Sequence, residues 1–90
     1  MMNRNQIEQI DFFGDKITVV NIKGDEIPKR MDKVCAVTLG LDCMVLTGYY
    51  STGNDEQGNP KYIDMKISAA YDSIASIVIY GRELTHGSME

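Results

Sequence analysis

The stretch that decides the fold class is Val34-Cys35-Ala36-Val37-Thr38-Leu39-Gly40-Leu41-Asp42-Cys43-Met44-Val45-Leu46-Thr47-Gly48-Tyr49-Tyr50. Cys35, Val37, Leu39, Leu41, Cys43, Val45 and Tyr49 occupy its odd positions, and Thr38, Gly40, Asp42 and Gly48 lie on the companion face. A period of two is what a pleated backbone produces, because successive side chains leave on opposite faces. The expectation is a β-sheet whose buried side carries the odd positions. A bend at Gly40–Asp42 divides the stretch into two strands, 34–39 and 43–50.

Toward the carboxyl end, the segment from Ser51 to Pro60 holds Gly53, Asn54, Asp55, Gly58, Asn59 and Pro60 and no apolar residue. Such a run reads as a loop through solvent. The segment from Lys61 to Ser68 is a half-buried strand, with Ile63, Met65 and Ile67 inward and Tyr62, Asp64 and Lys66 outward. Between Ala69 and Ser76 a single helical turn is expected, then a last strand from Ile77 to Tyr80, ended by Gly81. The remaining residues, 82–90, form a polar tail of the kind that frays.

Toward the amino end, the segment from Ile7 to Phe13 reads as a first strand, with Ile10 and Phe12 on one face and Asp11 on the other. Gly14-Asp15 then carries the type II′ hairpin signal, glycine in the first central position. The return strand runs from Lys16 to Lys23, and the adjacent apolar pair Val19-Val20 suggests that it is central in its sheet. Gly24-Asp25 repeats the turn chemistry, so Glu26-Ile27 begins a third strand that Pro28 closes. For the segment from Lys29 to Lys33 the reading is a helical turn or loop.

Ninety residues make one domain, here 1–81 followed by the tail. A chain this short buries about 60–65% of its unfolded surface, so its core is marginal unless something is added. A second copy of the chain is the expected addition, because sheet edges must be paired or covered. Cys35 and Cys43 permit at most one bridge across the Gly40–Asp42 bend; unpaired, they act as small hydrophobes. No apolar run follows the amino terminus and no stretch approaches the roughly 20 apolar residues of a membrane helix, so the cytoplasm is the expected location.

The formal net charge of −4 argues against a general phosphate-backbone binder. The basic cluster Lys29, Arg30 and Lys33 is broken by Asp32 and reads as a solvated face. His86 is the only histidine and lies in the tail, so neither a Ser-His nor a Cys-His pair can be assembled in the domain. Cys35 and Cys43 lack zinc-ligand spacing, and Asn54-Asp55-Glu56 lacks the alternation of an EF-hand loop. No catalytic residue, metal ligand or cofactor motif is expected.

The five tyrosines, Tyr49, Tyr50, Tyr62, Tyr71 and Tyr80, all fall in the second half. Tyrosine joins a large contact area to a polar tip and is enriched where proteins meet partners. One of Tyr49 and Tyr50 must point away from the buried face, and Tyr62 lies on the polar side of its own strand. Tyr50, Tyr62 and Asp55 are therefore the expected partner-binding residues. Tyr49, Arg30 and Lys33 are the alternative set, for a small ligand.

Phe12-Phe13-Gly14-Asp15, Ile17, Val19-Val20, Gly24, Val34-Cys35 and Leu39-Gly40-Leu41-Asp42 resemble the amino-terminal segment of phage antirepressors of the Bro/Ant type. That resemblance implies a helix over 33–39 and a link to a DNA-associated domain. Val37, Leu39, Val45-Leu46-Thr47-Gly48, Ile63-Asp64-Met65 and Ile77-Val78-Ile79-Tyr80-Gly81 resemble, as a pattern, a small SH3-like or Sm-like barrel. The fold expected is mainly β: a twisted antiparallel sheet or a small, partly closed SH3-like barrel with one or two helical turns.

The function expected is non-enzymatic binding by a small bacterial or phage accessory protein that inhibits or regulates a partner protein. If the protein is phage-encoded, its location is the host cytoplasm. The alternatives are an oligomer that binds a small ligand or nucleotide, and a nucleic-acid-binding regulator using Lys29, Arg30 and Lys33.

Overall fold

The first turn of structure is set by a reciprocal cap: the Asn3 side chain accepts from the Gln6 N–H, and the Gln6 side chain accepts from the Asn3 N–H. It opens helix α1 (Arg4–Glu8), which buries Ile7. The computed structural model describes residues 2–81; the tail with His86 lies outside them. After α1 come β1 (Lys16–Ile22), β2 (Lys29–Met31), β3 (Lys33–Leu39), β4 (Cys43–Asn54), β5 (Pro60–Ala70), a 3-10 turn (Tyr71–Ser73) and β6 (Ile74–Gly81).

The strands form two three-stranded antiparallel sheets, ordered β2-β1-β6 and β3-β4-β5. Both contribute to one core: Val20, Met31 and Ile74 from the first, Val34, Met44, Leu46 and Ile67 from the second, with Ile7 and Phe12 packed in from the amino-terminal segment. The protein is mainly β, as expected, and the sheets do not close into a barrel.

Only Asp32 separates β2 from β3, so one bent strand passes from the first sheet to the second. The inward position of β4 beneath that corner is Gly48. A Cβ there would collide with the backbone carbonyl of Lys33 and crowd the Met31 sulfur, so only glycine lets the two strands approach. The second crossing, from β5 to β6, is made by the 3-10 turn. Tyr71 ties it to the β3–β4 turn: its hydroxyl donates to the Gly40 carbonyl at 2.6 Å and its N–H to the Asp42 carbonyl at 3.0 Å.

Several expectations are corrected. The segment from Ile7 to Phe13 is not a strand but helix α1 and an irregular link, because the Asn3–Gln6 cap nucleates a turn there. Gly14-Asp15 therefore bends the chain into β1 without making a hairpin. The stretch 24–28 is turn and link, and Lys29–Met31 is a strand, satisfied by pairing with β1. Lys33–Leu39 is strand β3, where the antirepressor resemblance implied helix.

The odd face is not continuous. The register pairs Leu39 with Met44 and Val37 with Leu46, so inward parity changes from odd on β3 to even on β4. A bulge between Val34 and Ala36 changes it again and leaves Cys35 exposed. Cys43 is exposed as well, and both thiols are free. Cys35 lies level with Thr47 and Gly48, four to five residues along β4 from Cys43; at about 3.3 Å per residue that exceeds disulfide reach.

Candidate functional site

The register of the second sheet places its tyrosines. Tyr49 faces Asp64 and Ser51 faces Tyr62, which makes Tyr49 and Tyr62 diagonal neighbours on the outer face. Their ring centroids are 6.2 Å apart with planes inclined at 56°, a tilted aromatic contact. Both remain exposed, at 40% and 52%. On its other side Tyr49 pairs with Lys33. Tyr49 stands as a ridge between two hollows. One, of about 450 Å³, is lined by Asp15, Asp32, Lys33, Tyr49 and Tyr62. The other, of about 420 Å³, includes Cys35, Thr47, Tyr49, Asp64 and Lys66.

Asp32 holds the ridge in place from below. It is buried, with Oδ1 accepting from Arg30 Nε at 3.0 Å and Nη2 at 2.6 Å, and Oδ2 accepting from the Ser51 N–H. Its own N–H donates to the Tyr49 carbonyl at 2.8 Å. The corner between the sheets is thus bonded to the backbone on both sides of Tyr50. Satisfying a buried carboxylate with a guanidinium and a main-chain donor is what makes its burial tolerable.

The sequence-derived residues sort differently from expectation. Tyr62 is exposed on the outer face as expected, but its neighbour is Tyr49 and not Tyr50, because of the parity change. Tyr50 leaves on the opposite face, partly buried, with the Arg30 guanidinium carbon 6.0 Å from its ring centre. Asp55 organises its own turn: Oδ1 accepts from the Gln57 N–H at 2.9 Å and the Asn59 N–H at 2.8 Å. The solvent loop is only 55–59, since β4 runs to Asn54 and β5 starts at Pro60. Of the alternative set, Tyr49 and Lys33 come together in the larger hollow, while Arg30 is engaged by Asp32.

Asp32 was legible only as an acid interrupting a basic run; its partners Arg30 and Ser51 are fixed by the bend, which no local pattern announces. Among the described residues no group of three or more His, Cys, Asp or Glu side chains comes together, and no helix is long and apolar enough to cross a membrane. No protein-family model, no curated protein and no solved structure matches this chain.

Proposed function

We propose that the protein is a non-catalytic binding protein that acts as a homo-oligomer and docks a partner protein on the outer face of β3-β4-β5. The observation that carries this reading is the exposed Tyr49–Tyr62 pair, standing between two hollows and rimmed by Lys33, Asp64 and Lys66. Aromatic anchors inside a polar rim are the usual makeup of an energetic centre in a protein interface. The acidic chain favours a basic partner, which long-range attraction would bring to it. The biological role we infer is that of a cytoplasmic bacterial or phage accessory protein that inhibits or regulates such a partner.

A second reading, a small-ligand site, is favoured by one feature. The larger hollow has a volume within the range of ligand pockets and joins two aromatic rings to the Lys33 ammonium. Nucleic-acid binding is weaker, because Arg30, the centre of the basic cluster, is committed to Asp32.

Native mass spectrometry of protein purified from its cells tests these readings together. The partner reading predicts a co-purifying basic protein that is lost with Tyr49→Ala or Tyr62→Ala while circular dichroism is unchanged. A retained small molecule that disappears with Lys33→Ala selects the second reading and overturns the first.

A further inference from the structure

From Ser76 to Gly81, strand β6 (Ile74–Gly81) is the one stretch of sheet edge among the described residues that carries no charge, proline or bulge. Edge strands are normally blunted by brevity, charge, proline or bulges. β2 has three residues, two of them Lys29 and Arg30. β3 starts with Lys33 and bulges after Val34. β5 starts with Pro60 and carries Lys61, Asp64 and Lys66. β6 reads Ile-Ala-Ser-Ile-Val-Ile-Tyr-Gly, without charge or proline. Its start bulges at Ala75 and is held by the Met2 N–H, which donates to the Ile74 carbonyl at 3.1 Å, but its ladder with β1 is regular from Ser76 to Gly81. Its outward residues extend an apolar stripe onto β1, which ends at Arg30 of β2 opposite Val19. Val78, 37% exposed, pairs with Val19, and Tyr80, 54% exposed, pairs with Ile17.

We infer that β6 is the self-association edge: it pairs antiparallel with β6 of a second copy about a two-fold axis at Val78, making one six-stranded sheet. This rests on the oligomer part of the proposed function and names its interface. The occupant must be a strand, because an unpaired backbone edge is satisfied by another backbone. A second copy fits for two reasons. Chains of net charge −4 repel one another, and this charge-free strand is where they can approach without opposing like charges. Directly opposed residues of an antiparallel pair share a face, so a centre at Val78 sets Val78 against Val78 and Ser76 against Tyr80 outside, with Ile77 against Ile79 on the core side. Each position then meets one of its own kind of environment, as an isologous two-fold contact requires.

Sedimentation of the full chain, together with cysteine cross-linking, tests this. The wild type is expected as a dimer. Val78→Lys brings two ammonium groups face to face and is expected to weaken the dimer at least about tenfold, with unchanged circular dichroism. In a Cys35→Ser, Cys43→Ser background, Val78→Cys is expected to oxidise to a covalent dimer and Ile63→Cys is not. A monomeric wild type overturns both this inference and the oligomer reading. A wild-type oligomer that persists in Val78→Lys, without a Val78→Cys cross-link, overturns the β6 assignment alone. Cross-linking through Ile63→Cys overturns it in favour of a contact through β5. If Val78→Lys fails to fold, the cross-link decides.

Discussion

Thr18 sits on the core side of β1, fully buried, and its Oγ1 has no hydrogen-bond partner. A buried hydroxyl that has given up water without a replacement costs free energy, whereas an apolar group of the same shape does not. Thr18→Val is therefore expected to stabilise the fold by about 1 kcal/mol, read as a higher urea midpoint at unchanged slope. Asp11 shows the opposite case, a polar group held in its charged form. The Lys16 ammonium hydrogen-bonds its Oδ2 at 2.8 Å and the Phe13 N–H donates to Oδ1, so its pKa lies below the ordinary 3.8. A depressed carboxylate pKa adds stability above the unfolded value, and that stability disappears as pH falls through the folded value. Asp11→Asn is expected to be less stable than wild type near neutral pH, with the gap closing below about pH 4. A gap that stays constant on acidification would show that the ion pair contributes nothing through this ionisation.

At the scale of elements, the corner between the sheets is where sequence and structure part company. Alternation within each strand was readable in part: β5 points Met65 and Ile67 inward and Tyr62, Asp64 and Lys66 outward, as its pattern says, but Ile63, expected inward, is 54% exposed where it pairs with Tyr50. What could not be read was how one strand's parity connects to the next, because the β3–β4 register and the bulge at Cys35 are set by pairing and not by local sequence. That single slip exchanges Tyr49 for Tyr50 at the candidate site. The strand reading of 7–13 passed over the Asn3–Gln6 cap, and a helix only five residues long is too short to show a periodicity of its own. Gly48 carried a signal too, as an isolated glycine inside a strand pattern, which often marks a close backbone approach. Gly48→Ala forces its methyl into the Lys33 carbonyl, a backbone atom that cannot swing aside as a side chain can. We expect a loss of at least about 2 kcal/mol in urea unfolding. We also expect a weakened Tyr49–Tyr62 face, since the corner it opens is bonded to Tyr49 and Ser51. A Gly48→Ala protein as stable as wild type would mean that the two strands are not in contact there.

For the molecule as a whole, charge separates the two kinds of contact proposed. A partner drawn by the net charge of −4 approaches through attraction, and salt screens attraction. Two copies meeting along β6 approach against mutual repulsion, and salt screens that as well. Between about 0.01 M and 0.15 M salt the Debye length contracts from roughly 30 Å to 8 Å. Over that range charges at the surfaces of two adjoining small domains pass from sensing one another to being largely hidden. The β6 strand itself contributes no ion pair whose loss would oppose this. Self-association is therefore expected to tighten as salt is raised over this range, while association with a basic partner slows and weakens. The dimer constant measured by sedimentation at several salt concentrations gives the sign directly, without knowledge of the partner. A dimer that weakens with salt would mean that opposite charges hold the copies together, which points to Lys33, Lys61 or Lys66 at the contact and away from β6.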